Sequence, residues 1–345
     1  MKKPKKILII RFSSIGDIIL SFPLVEKLKN LFPDCEIDYL TGINFVGVLT
    51  PIKDLINTII KYDKTNDRSE IKRMQEEIQT ANYDWILDIH GSLRSRRLLF
   101  NVKSPVFRIR KNQIRRFLYI RFKWNIYPLK HVSQKYADVL PVADADKKIT
   151  SSFKINAPII KRYFDKNFDS VNTDRSKVIL FPGAKHFTKR WPPEYWKQLI
   201  EILIRETDWR IIIAGDKFDK QLVDESKMDQ HSRVYNLCGQ LNLLETMSLI
   251  QKSDIAVTND SGPMHIAAMF DKAQVAIFGN TVLQLGFAPL NSNSIILENN
   301  SLSCRPCSHI GYEKCPKKHF KCMKEIHPEE VFKSVMLLFQ KTLYS

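Results

Sequence analysis

No run of eighteen apolar residues occurs in this 345-residue chain, so no stretch reads as a membrane-spanning helix. The apolar run behind the basic N-terminus, Ile7 to Ile10, is cut off by Arg11, far short of the hydrophobic region of a signal peptide. The expectation is a cytoplasmic protein. Neither GxGxxG nor GxxxxGK[ST] is present, which removes the standard dinucleotide and P-loop fingerprints. No fixed-period repeat occurs, which removes solenoids and propellers. Acid is also in short supply: 37 Asp and Glu face 54 Lys and Arg, for a formal charge of +17. That balance implies an acidic partner, whether nucleic acid, an anionic membrane surface or a phosphorylated substrate.

What is present is enough for two ordinary domains, with 44% hydrophobic residues and 20 Phe to build cores. The chain opens as strand 7–10, loop 11–16 and helix 18–29, the first unit of a βαβ fold. Strands follow at 36–40, 58–61 and 83–90, with a helix over 71–79. The strand over 83–90 ends in the polar tip Asp88, His90, Gly91 and Ser92. A weakly patterned stretch over 142–176 reads as the connection between domains. The second series has strands at 177–181, 210–214, 255–258 and 275–278, and helices at 193–205 and 243–252. A helix over 328–343 closes the chain, with a proline near its start. The pattern predicts an α/β protein of two doubly wound parallel sheets. The boundaries expected are 1–170, 171–327 and 328–345.

Ligands of such sheets lie outside the carboxyl ends of the strands, normally between the two domains. Those ends carry Ser13, Ser14, Gly16, Asp17 and His90 in the first half. In the second half, Asn259-Asp260-Ser261-Gly262-Pro263-Met264-His265 follows a strand and opens a helix. There the glycine admits a phosphate to free backbone N–H groups, although an ordinary capping turn has the same residues. Pro182-Gly183 leads to Lys185, Thr188, Lys189 and Arg190, three cations and a hydroxyl suited to clamping a diphosphate, with Trp191 and Pro192 as anchors. From Arg94 to Lys123 eleven Lys or Arg occur without one acidic residue, interleaved with Phe and Leu. That run reads as a solvated face on a pair of helices, an anionic acceptor site or a lipid-docking segment; no nucleic-acid recognition motif accompanies it. Cys304, Cys307, Cys315 and Cys322, with His309 and His319 nearby, have zinc-like content but not a standard zinc spacing. Reduced structural cysteines are the expectation.

Arg11-Phe-Ser-Ser-Ile-Gly-Asp17, Pro182-Gly-Ala with Lys189-Arg-Trp-Pro192, and Asn259-Asp-Ser-Gly-Pro-Met-His265 together resemble glycosyltransferase family 9, the ADP-heptose:lipopolysaccharide heptosyltransferases. Phe278-Gly-Asn-Thr281 and the segment from Cys304 to Met323 add to the resemblance, which spans roughly residues 5 to 335. It implies a GT-B architecture, two Rossmann-like domains facing a central cleft. It also implies inverting transfer of heptose from ADP-heptose to the inner core of lipopolysaccharide, without a metal or other cofactor. Asp17 then matches the general base. Thr188, Lys189, Asp260, Ser261, Gly262 and His265 match the donor site. Acceptor binding is expected of Ser13, Ser14, Gly16, His90, Arg94, Arg96 and Arg97. The partners implied are the nucleotide-sugar, a lipid-linked anionic sugar and the cytoplasmic face of the inner membrane, met by the basic surface; nucleic acid is not among them. Two other readings remain: a family-9 enzyme with another nucleotide-sugar, and a non-catalytic basic binding module.

Overall fold

The computed structural model describes residues 3–124, 130–142 and 175–343. The chain divides into two units, Met1–Gln113 with Lys130–Ser151, and Ile114–Leu129 with Ser152–Ser345. The connection expected over 142–176 lies almost wholly outside the described residues.

The first unit has strands β1 (Lys6–Ile10), β2 (Glu36–Gly42), β3 (Thr58–Tyr62), β4 (Trp85–Asp88) and β5 (Val106–Arg108). They pair in parallel in the order β3-β2-β1-β4-β5. Ile7 to Ile10 are buried on both faces of the central strand, which is why β1 is a continuous apolar run rather than an alternating one. Its helices are α1 (Ile15–Ile19), α2 (Phe22–Leu31), α3 (Asp67–Thr80), α4 (Leu93–Leu98) and, beyond α5 (Gln113–Phe122), α6 (Val132–Ala137). One face of the sheet packs Leu8, Ile10, Leu40 and Ile86 against Met74 and Ile78 of α3.

The second unit has β6 (Lys177–Phe181), β7 (Arg210–Ile213), β8 (Val234–Asn236), β9 (Ile255–Asn259), β10 (Ala273–Phe278) and β11 (Ser294–Glu298). They are again parallel, ordered β11-β10-β9-β6-β7-β8. Helices α7 (Pro193–Glu206), α8 (Lys217–Ser226), α9 (Leu243–Lys252), α10 (Gly262–Met269), α11 (Lys321–Lys324) and α12 (Pro328–Leu343) accompany them. The core joins Val178, Leu180 and Val257 of the sheet to Trp191, Trp196 and Leu199, and to Val331 and Val335 of α12. Both sheets are doubly wound. Strand order reverses between β1 and β4 in one and between β6 and β9 in the other. These are the switch points where open α/β sheets take ligands.

Two expectations change. The helix over 18–29 is two helices, because Pro23 has no N–H to continue the ladder and Ser21 Oγ donates instead to Ile18 O (2.6 Å). The basic run is divided between the units: residues 94–113 belong to the first, while 114–123 group with the second. No helix among the described residues is long and apolar enough to cross a membrane.

Candidate active site

At the first switch point β1 delivers Arg11, and the loop behind it starts α1. Asp17 sits in that first turn and reaches back to Ser14, accepting from its N–H (3.3 Å) and its Oγ (2.9 Å). Arg11 Nη2 lies 2.7 Å from the same carboxylate oxygen, Oδ2, and Tyr136 of α6 donates its hydroxyl to Oδ1 (3.1 Å). Arg11 is itself held, donating to Ile89 O (2.9 Å) and lying over the Tyr136 ring. Burial pushes the Asp17 carboxyl up, but the Arg11 charge and the Ser14 and Tyr136 hydrogen bonds outweigh it and leave it below the usual range. Asp17 is therefore ionised at neutral pH with its side chain still 19% exposed.

The polar tip of β4 is fixed by Asp88. This wholly buried carboxylate accepts from Arg108 Nε (2.7 Å), Ser95 Oγ (2.9 Å) and Gly91 N–H (2.7 Å). His90 thereby stands beside Phe12, with ring centroids 4.9 Å apart. Burial and the charges of Arg11 and Lys111 push its imidazole down to about 4. It is neutral when folded, whereas an unfolded histidine titrates near 6.5. Stability should thus fall as pH drops from about 6.5 towards 4, by up to roughly 3 kcal/mol. His90→Asn should flatten that dependence in urea denaturation at pH 5 and 7; an unchanged slope would reassign it. Of the other expected acceptor residues, Ser13 is half-buried in the opening loop and Gly16 is buried in α1. Arg94 lies 5.6 Å over the Tyr62 ring, while Arg96 and Arg97 are exposed on α4.

At the second switch point the loop after β6 is pinned from beneath by Asn259 of β9. Its Nδ2 donates to Pro182 O (2.8 Å) and Gly183 O (3.3 Å), and its Oδ1 accepts from Trp191 N–H (3.1 Å). A Cβ at position 183 would stand 1.9 Å from Asp219 Oδ1, so a larger residue there would have to displace that carboxylate. The loop turns at Phe187–Lys189 and places Lys189 Nζ 2.6 Å from Asp260 Oδ2. Thr281 Oγ1 donates to the same oxygen (2.6 Å). Burial pushes the Asp260 carboxyl up, yet Lys189 and Thr281 hold it below the usual range. Beside this pair α10 begins at Gly262. Ser261 makes no side-chain cap to it, and the Ser261 hydroxyl donates instead to Asn259 O (3.3 Å). First-turn N–H groups at such a start favour an anion. His265, in the same turn, is buried within electrostatic reach of Asp260.

Two of the expected donor-site residues have partners within the protein. Thr188 is buried, its hydroxyl donating to Tyr312 O (3.2 Å) and accepting from Tyr312 N–H (2.8 Å), so it fastens the loop. Asp260 positions Lys189. Arg305 is unforeseen, since its place between two cysteines masks it in sequence. Its buried guanidinium donates to Gly279 O and Thr281 O and pairs with Glu298 (2.8 Å), fixing the loop that presents Thr281. The cysteine-bearing segment is thus a strap across the second unit. Its thiols are free, and burial pushes Cys307 up to about 11 and Cys322 up to about 12. Among the described residues no three His, Cys, Asp or Glu are disposed to hold a metal ion.

The sequence profile described as glycosyltransferase family 9 (heptosyltransferase) matches residues 71–319. Lipooligosaccharide heptosyltransferase 2 of Campylobacter jejuni is 27% identical over 339 residues, 95% of this chain and 96% of that protein. Lipooligosaccharide heptosyltransferase 2 of Haemophilus influenzae is 28% identical over 308 residues, 84% and 88% of the two chains. Among solved structures, ADP-heptose lipopolysaccharide heptosyltransferase II of E. coli superposes with a TM-score of 0.74 at 21% identity, over 98% of this chain and 99% of the other. A family-9 glycosyltransferase of Veillonella parvula gives 0.77 at 20% identity, over 99% and 98%.

Proposed function

We propose that this chain, which belongs to glycosyltransferase family 9 and is a glycosyltransferase, moves a heptose from ADP-heptose to the inner core of lipopolysaccharide. The reading has the transfer inverting and independent of metal. The observation that carries it is opposite chemistry at equivalent places: an ionised carboxylate at one switch point, a lysine beside a helix start at the other. Inversion is a single displacement. The acceptor hydroxyl oxygen bonds to the anomeric carbon, its proton passes to Asp17, and the bond from that carbon to the diphosphate oxygen breaks. Lys189 and the N–H groups from Gly262 onward take up the leaving charge, the task a metal ion performs elsewhere. A pKa below the ordinary range makes Asp17 a weak base, so it takes the proton late, once bond formation has made the hydroxyl acidic. The acceptor is lipid-linked and anionic, and the enzyme meets it at the cytoplasmic face of the inner membrane with help from the basic residues between 94 and 123.

Transfer assays with ADP-heptose and with GDP- and UDP-sugars, on a lipid-linked ulosonic-acid acceptor in EDTA, test the reading. Transfer from ADP-heptose with an inverted anomeric centre is expected. Product from another nucleotide-sugar alone would replace the donor assignment, and dependence on added metal would overturn the metal-free mechanism.

A further inference from the structure

Helix α5 exposes large apolar groups next to basic ones. With 3.6 residues per turn, Arg116, Tyr119, Ile120 and Lys123 share one side, and Ile114, Arg115, Phe117, Leu118, Arg121 and Phe122 share the other. The first side is the one laid on the second unit. Lys123 Nζ donates to Cys304 O (3.2 Å) and Pro306 O (2.6 Å), Tyr119 is within electrostatic reach of Glu298 and Arg305, and Arg116 of His309. The side with the large apolar groups is turned out: Ile114 is 76% exposed, Phe117 60%, Phe122 49% and Trp124 58%. Those rings pack on one another, with centroids 6.4 Å apart for Phe117 and Phe122 and 5.2 Å for Phe122 and Trp124. Arg121 lies over the Phe122 ring at 5.8 Å.

We propose that this face docks on an anionic bilayer, with Phe117, Phe122 and Trp124 entering the head-group layer and Arg121 at phosphate depth. The inference rests on the reading that the acceptor is lipid-linked, and adds to it the element that makes the contact. Clustered aromatics with basic neighbours are what an interfacial helix needs, since rings partition to the head-group boundary and cations meet lipid phosphates. The segment that carries the cluster has charge of one sign, with no acidic residue from Arg94 to Lys123. A protein groove or a second copy of this chain would be matched by mixed charge; a fluid anionic surface is matched by this one. Placing the anchor on the second unit ties the donor-binding half to the membrane.

Flotation of the full chain with vesicles of phosphatidylcholine, alone or mixed with phosphatidylglycerol, tests the proposal against the variant Phe117→Ser, Phe122→Ser, Trp124→Ser. The wild type should float only with the anionic vesicles. The variant should lose about tenfold or more of that partitioning while turning over a lipid-free acceptor at the wild-type rate. Equal flotation of both proteins would overturn the anchor while leaving charge-driven recruitment in place. Failure of the wild type to float would overturn both, whatever the transfer assay shows. Conversion of a wild-type oligomer to a monomer by the variant, with flotation unchanged, would give the face to a second copy instead.

Discussion

Asp17→Asn should lower transfer by about a thousandfold, the scale of a lost general base, while leaving donor affinity within about twofold of wild type. The change keeps the shape of the side chain and one oxygen for Arg11 and Ser14, with the amide NH2 turned to the Tyr136 hydroxyl, which can accept from it, so a loss of rate reports the missing proton acceptor. It also leaves the Arg11 guanidinium, 11% exposed, without its counter-charge. Breaking a buried pair costs about 3 kcal/mol or more, so the variant should also melt earlier, and single-turnover rates are best measured well below that transition. Retention of more than a tenth of the wild-type rate would end the base assignment. The pH dependence follows from the same contacts. Since the folded pKa lies below its ordinary value, the carboxylate stabilises the fold above about pH 4, and that contribution is lost as the pH falls further. A flat rate profile from neutral pH down to the ordinary carboxylate range is the corresponding kinetic result.

Lys189→Ala should weaken donor binding by about 10- to 100-fold, the worth of a charge-assisted hydrogen bond, with calorimetry against the nucleotide-sugar as the measurement. A second effect separates the clamp from a merely structural lysine. Asp260 is buried, and with Lys189 gone it loses its counter-charge, at a cost of about 3–5 kcal/mol. Burial then pushes the carboxyl up, with only Thr281 and His265 left to oppose it. Adding Asp260→Asn should recover much of the stability and none of the affinity. An unchanged donor Kd in the single variant would rule the clamp out.

The parts of the fold visible in the sequence are those written in consecutive residues. Ile7 to Ile10, Lys177 to Phe181 and Ile255 to Thr258 announce buried strands by continuous apolar character, and Asp17 and Lys189 announce themselves by standing at strand ends. The family resemblance is confirmed. What was not visible depends on contacts far apart along the chain. Tyr136 reaches Asp17 across 119 residues, and Thr281 reaches Asp260 across 21. Both meetings depend on how the flanking elements pack, and no spacing rule reports that. Short edge strands such as β5, with three residues, carry too few positions for a period to emerge. The packing of α5 could not be read either, because basic and large apolar residues occur on both of its sides and the pattern alone does not say which is packed.

If Lys189 clamps the donor as proposed, its contact with Asp260 also sets a threshold for what binds there. A ligand must compete with a carboxylate already 2.6 Å from the ammonium. Inorganic phosphate or a nucleoside monophosphate offers little more than Asp260 supplies. A diphosphate can engage the lysine with one phosphoryl group and the Gly262 helix start with the other, and so exceeds the internal competitor. On the proposed reading the resident ion pair would then act as a charge filter, discriminating by number of phosphates before the sugar or base is read.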